Sequence, residues 1–172
     1  MAIVFTDRYD HSIDEKNRLA IPSSLRSALD PESTGVAFYI VPESRFLQLI
    51  PESLFLQLAS AANAGLTVDY NLARARRLLF ATASRLVPDK AGRVVIPDRY
   101  MLDTKHKTPF GEALLERQVT LVGVGDRVEL WNSQEFYGHL RELLADRQHV
   151  QGATQQLFST VPQAGATGPA AR

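Results

Sequence analysis

Apolar and polar positions alternate from Val4 to Ile13, with Phe5, Tyr9 and Ile13 on one face and Thr6, Arg8, Asp10 and Ser12 mostly on the other. That period of two predicts a half-buried strand. The turn Glu15-Lys16-Asn17 leads into a short strand, Arg18 to Ile21, in which Leu19 and Ile21 share a face. Pro22 then stops strand pairing and opens a brief helix striped by Leu25, Ala28 and Leu29. The same signals recur as a strand from Ala83 to Val87, a turn Lys90-Ala91-Gly92, a strand from Arg93 to Ile96 and then Pro97. Two longer apolar runs, "VAFYIVPESRFLQLI" and "VTLVGVGDRVELW", are broken by Pro42-Glu43-Ser44 and by Gly125-Asp126, and both predict β-hairpins. Each leads into a helix. The first carries Phe55, Leu58, Ala59 and Ala62 at helical spacing. The second has Asn132 as N-cap, Glu135 as its capping-box partner, and a Phe136, Leu140, Leu143, Leu144 stripe. Between the units Asp69 caps a third helix through Leu79, with Leu72, Ala75 and Leu79 as its apolar face.

The repetition has a register. "DEKNRLAIP" and "DKAGRVVIP" both read Asp-x-x-x-Arg-x-x-x-Pro, at an offset of 75 (Asp14 to Asp89). "LQLIPESLF" and "VELWNSQEF" match at an offset of 81 (Leu47 to Val128), and the six extra residues fall in "TKHKTPFGEALLE", a loop insertion. Two motifs in the same order imply two copies of one supersecondary unit. Asn17 and Gly92 occupy one slot, and both residue types tolerate positive φ, so a left-handed turn position is expected there. The expected organisation is a first unit over 4–66, a linking basic helix over 67–82, a second unit over 83–147, and a disordered tail over 148–172 rich in Gln, Gly, Ala, Thr and Pro. Strands too short to form a sheet alone would pair between the units. The expected fold is α+β, a duplicated hairpin unit forming a small interlocked β-barrel flanked by helices.

Composition narrows the function. With 45% hydrophobic and 22% charged residues the chain supports a packed core, and no apolar run approaches the ~18 residues of a membrane span. The first ten residues lack the basic and apolar regions of a secretory signal. The absence of cysteine excludes disulfides, thiolate metal sites and a thiol nucleophile. His11, His106, His139 and His149 are scattered without metal-ligand spacing. No nucleophile elbow or phosphate-binding loop is present, and "GVGDR" is followed by a strand where a phosphate loop needs a helix. An enzyme is not expected.

The arginines remain. Net charge is +0, yet Asn71 to Arg93 holds six bases against one acid, Asp89. Arg18 and Arg93 each end a tight turn four residues after an aspartate. Either the pair closes the turn, or the turn displays a guanidinium to phosphates or a guanine edge; the two are compatible. Lys16, Arg18 and Arg8 are the bases expected around the first turn, with Lys90, Arg93 and Arg85 around the second. Arg74, Arg76 and Arg77 read as a solvated basic face. Useful affinity for DNA takes several phosphate contacts, so a near-neutral chain reaches it only as an oligomer.

At "HSIDEKNRLAIPSSLRSAL", "PDKAGRVVIPDRY" and "VTLVGVGDRVELWNSQEFYGHL", and in the basic helix "ARARRLLFATAS", the chain resembles the MraZ family, bacterial transcriptional regulators built from two SpoVT-AbrB-type swapped-hairpin units. The resemblance covers about residues 4 to 147. It implies a cytoplasmic, nucleoid-associated protein that assembles as a ring-shaped homo-oligomer. It also implies binding of double-stranded DNA at promoter direct repeats, usually repressing the protein's own cluster of division and cell-wall genes. No cofactor, metal, membrane or small-molecule substrate is implied. Arg18 matches the family's DNA-contacting arginine, with Asp14 and Lys16 in the same turn, and the turn of Lys90 and Arg93 matches the repeat of that motif. Members usually carry Gly at the position of Asn17 and often Arg-Gly where this chain has Thr6-Asp7; Arg8 is the base that would stand in there. Two other readings are an AbrB-fold protein-interaction module of antitoxin type without its own operator, and a small hydrolase, which the missing catalytic groups disfavour.

Overall fold

The computed structural model describes residues 4–30, 32, 35–63, 69–102 and 114–159. In chain order the elements are β1 (Arg8–Ser12), β2 (Arg18–Ala20), α1 (Ser23–Arg26), β3 (Phe38–Pro42), β4 (Leu47–Pro51), α2 (Glu52–Asn63) and α3 (Tyr70–Thr82). They continue with β5 (Ser84–Leu86), β6 (Arg93–Val95), a 3-10 turn (Asp98–Tyr100), β7 (Gln118–Gly123), β8 (Val128–Asn132), α4 (Ser133–Ala145) and α5 (Arg147–Ser159). The expected loop insertion at "TKHKTPFGEALLE" lies largely outside the described residues.

The two short strands that follow the turns find each other. β2 and β6 pair antiparallel, with Arg18 opposite Val95, Leu19 opposite Val94 and Ala20 opposite Arg93. Two further backbone bonds lengthen this ribbon: Ile21 donates to the Gly92 carbonyl at 2.9 Å, and Ile96 to the Asn17 carbonyl at 2.8 Å. Alternation along each strand turns Leu19, Ile21, Val94 and Ile96 inward, where all are buried. The other six strands form one antiparallel sheet in the order β1-β7-β8-β4-β3-β5. That order maps onto itself when β1 to β4 are exchanged for β5 to β8. The registers follow the two sequence offsets as well. Tyr9 faces Leu121 and Ser84 faces Ile40, as offsets of 75 and 81 require. Leu47 opposite Leu130 likewise mirrors Leu49 opposite Val128.

The fold is thus mixed α+β, but the expected barrel does not close. β1 pairs only with β7 and β5 only with β3, leaving both as edges. β2 and β6, which could have bridged those edges, use their hydrogen bonds on each other. Ribbon and sheet instead share one core, in which Leu19, Ile21, Val94 and Ile96 join Ile40, Leu47, Leu49, Leu121, Val128 and Leu130.

The helices depart from expectation in several places, and Leu58 of α2 and Leu143 and Leu144 of α4, expected on apolar faces, are exposed. On α3 it is Ala73, Arg76 and Leu79 that are partly covered, whereas Leu72 and Ala75 are exposed. The rotation follows from aromatic packing: Tyr39 stacks on Phe55 at 4.0 Å, Phe80 meets Phe55 edge-on at 6.1 Å, and Leu79 packs against the same cluster. Asp69 stands at the N-cap of α3 without a side-chain capping bond. Asn132 does cap α4, accepting from the Gln134 amide at 2.9 Å, but Glu135 pairs with Arg45 at 3.3 Å, not with the cap. The expected disordered tail begins instead as helix α5, continuing to Ser159, because Asp146 and Val150 keep i to i−4 backbone bonds across the junction with α4. Residues 160–172 lie outside the described residues.

Leu19 is fully buried at the centre of the ribbon, opposite Val94. Leu19→Ala is expected to destabilise the fold by about 2–5 kcal/mol, read as a lowered denaturant midpoint at unchanged slope. A loss below about 1 kcal/mol would show that the ribbon is not anchored through this residue.

Candidate nucleic-acid interface

Each turn is organised by its aspartate. Asp14 Oδ1 accepts from the amides of Lys16 and Arg18, both at 2.9 Å, while the Asn17 amide donates to the Asp14 carbonyl at 2.9 Å. Asp89 repeats this with the amides of Ala91 and Arg93 at 2.9 Å and of Gly92 at 2.8 Å. The shared slot is left-handed in both, with φ of +57° at Asn17 and +75° at Gly92. Both aspartates are held below the usual carboxylate range. For Asp14 the amide of Arg18 contributes most, followed by its guanidinium, with partial desolvation opposing; for Asp89 the amide and then the guanidinium of Arg93 dominate.

The second carboxylate oxygens engage the arginines. Asp14 Oδ2 takes Arg18 Nε at 2.7 Å, and among the described residues no acceptor takes the two terminal nitrogens of Arg18. Asp89 Oδ2 takes both Nε and Nη2 of Arg93, at 3.0 and 2.9 Å. The ion pair that closes each turn is therefore real, and at Arg18 it leaves the outer edge of the guanidinium fork for another acceptor.

Strand alternation completes the face. With Leu19 and Val94 inside, Arg18, Ala20, Arg93 and Val95 all project from the opposite side of the ribbon. Arg18 faces Val95, two residues beyond Arg93, so the arginines are diagonal neighbours, roughly 7–8 Å apart at their backbones. Lys16 and Lys90 are exposed in the flanking turns. Five of the six residues expected at the interface (Asp14, Lys16, Arg18, Lys90 and Arg93) thus gather on one ribbon.

Arg8 does not join them. It opens β1 opposite Val122, six positions before Asp14, because the extended strand carries it to the far end of the sheet. Asp7 beside it has φ of +74°, and its Oδ1 accepts from the Arg8 amide at 2.7 Å, so an aspartate here keeps the backbone a glycine would adopt. Arg85 is turned away from the second turn by Glu52 of α2, at 2.6 Å. Sequence reasoning missed Arg26, Asp98 and Arg117, which brace the turns from elsewhere in the chain. Arg117 donates to the side chain of Asn17, and Arg26 lies against Gly92. Their separations in sequence left no local pattern to detect them.

Proteins similar to this chain in sequence are named as transcriptional regulators. The chain is 35% identical over 135 residues to the "Transcriptional regulator MraZ" of Chromobacterium violaceum, covering 78% of this chain and 84% of that protein. It is 33% identical over 142 residues to that of Thermomicrobium roseum, covering 83% and 90%, and 28% identical over 151 residues to that of Mycoplasma mobile, covering 87% and 93%. The family model described as "MraZ protein, putative antitoxin-like" matches residues 79–158. The chain belongs to the MraZ family, which is a family of regulators and not of enzymes.

A depressed carboxylate adds stability that is complete above its unfolded pKa and is lost as pH falls through its folded pKa. Asp14 and Asp89 should therefore titrate below an exposed aspartate in carboxyl-carbon NMR, and the turns should loosen only as pH drops below about 4. Asp14→Asn and Asp89→Asn should flatten that acid limb. Normal titration of both groups would mean that the turns are not held through them.

Proposed function

We propose that this protein is a sequence-specific, DNA-binding transcriptional regulator whose DNA-contacting surface is the exposed face of the β2–β6 ribbon. The observation that carries the reading is the placement of Arg18 and Arg93 as diagonal neighbours on one side of a two-stranded ribbon. The major groove of B-DNA admits such a ribbon, and arginine recognises phosphates and the O6/N7 edge of guanine with the same planar fork. Lys16 and Lys90 flank the face and would contact the backbone, while Asp14 and Asp89 orient the turns. Arg8 would reach DNA only if the duplex extended along β1.

The chain itself is proposed to be a duplicated SpoVT-AbrB-type unit, a reading supported by the exchange symmetry of the strand order and by the two offsets in the registers. One ribbon supplies few cations and the net charge is +0. Several copies are therefore needed for useful affinity, which favours a ring-shaped homo-oligomer engaging promoter direct repeats. Its cytoplasmic, nucleoid-associated location and its repression of the protein's own cluster of division and cell-wall genes are part of the same proposal. Among the described residues no helix is long and apolar enough to cross a membrane. A protein-interaction role of antitoxin type is the second reading. It is favoured by the family description and by the solvent-facing Val150 and Leu157 of α5.

Fluorescence anisotropy over a salt series tests the proposal on the DNA upstream of the protein's own gene. Wild type should prefer that DNA to a scrambled sequence. Arg18→Ala should weaken binding about tenfold or more and lower the preference. Equal binding by Arg18→Ala, or no preference in wild type, would reject the reading.

A further inference from the structure

The two turns are built alike but braced unlike. Asn17 is buried, donates from Nδ2 to Asp98 Oδ1 at 2.6 Å, and accepts on Oδ1 from Arg117 Nη1 at 2.8 Å. Arg117 also donates to the Asp14 carbonyl. The offsets of 75 and 81 place Gly92, Ser23 and Val36 at the corresponding positions around the second turn, and these three residues cannot build the same network. There Arg26 lies against Gly92, so closely that a Cβ at residue 92 would come within 2.4 Å of the guanidinium carbon, while its Nε donates to the Ile21 carbonyl at 3.0 Å. Met101 is the counterpart of Arg26 at the offset of 75, and it has no guanidinium to lie against a turn. The first turn is thus tied through a side chain to the 3-10 turn and to the approach to β7, whereas Gly92 has no side chain to be tied.

We propose that the Asn17–Asp98–Arg117 network positions Arg18, making the first turn the dominant DNA contact and giving an otherwise two-fold ribbon a direction along the duplex. This rests on the DNA-binding reading of the ribbon. A turn ordered before binding loses less freedom on binding, so Arg18 contributes more than Arg93 from an equivalent place. The ion pairs act in the same sense, since Asp89 engages two nitrogens of Arg93 and Asp14 only one of Arg18. A ribbon with identical turns would suit a palindromic step, because the symmetry of a site mirrors that of its reader. A ribbon with one braced turn suits a site that differs between its two ends.

Asn17→Gly keeps the left-handed backbone and removes the side chain that links Asp98 to Arg117. In anisotropy measurements on the upstream DNA it should weaken binding roughly three- to tenfold. The same loss should appear in an Arg93→Ala background and vanish in an Arg18→Ala background, as coupling through Arg18 requires. Asn17→Asp sets two carboxylates against each other and should also weaken binding, and adding Asp98→Asn, which reverses donor and acceptor, should restore it. An equal loss of Asn17→Gly in the Arg18→Ala background, or no recovery in the double variant, would overturn the proposal. Amide hydrogen exchange reads the brace without DNA: residue 17 should exchange more slowly than Gly92 in wild type and match it in Asn17→Gly. Equal rates in wild type would overturn the network itself. Unequal rates in a protein that ignores its upstream DNA would reject the DNA reading and the positioning role together, leaving the brace as structural.

Discussion

Three residues of strand cannot stand alone in water, and both β2 and β6 are that short. Each exists because the other supplies its hydrogen bonds and because Leu19 and Val94 meet between them at the edge of the common core. The rest of the structure depends on that pairing. It fixes the distance between the two aspartate turns, decides which side of each strand faces outward, and therefore brings two arginines 75 positions apart in sequence to one surface. Without it each turn would be an isolated loop with only its own lysine and arginine.

On the proposed reading, the ribbon also explains how so few charges would serve recognition. A guanidinium on a flexible loop pays its ordering entropy at the moment of contact, whereas here the aspartate four residues earlier has already fixed the backbone amides and one side of the fork. The same carboxylate that neutralises part of the charge gives the remainder a direction. Removing it would free the arginine and blunt it.

Local features were legible in the sequence because their causes are local. Asn17 and Gly92 share a slot because only a few residue types accept positive φ, and the hairpins around Pro42 and Gly125 announce themselves by breaks in apolar runs. Pairing between distant strands was legible only in outline. Strand length said that the units must share a sheet, but not that β2 and β6 would exclude the remaining six and leave it open. The position of Arg8 was misjudged because closeness in sequence is not closeness in space along an extended strand. The buried face of α3 was missed for a different reason: Tyr39 and Phe55, outside the helix, set its rotation. At the turns, Arg117 and Asp98 lie 100 and 81 positions from Asn17 and carry no signature until the chain is folded.

The interleaving of the sheet has one more effect. β1 is hydrogen-bonded to β7, and β5 to β3, so each end of the chain completes the sheet of the other. Cut between α3 and β5, the molecule would yield two fragments, each bearing an unfilled strand position that only its complement can occupy. Such a chain has no half that can mature first on the ribosome: its core closes only when the last strands emerge, and the nascent first portion must wait with open edges until they do.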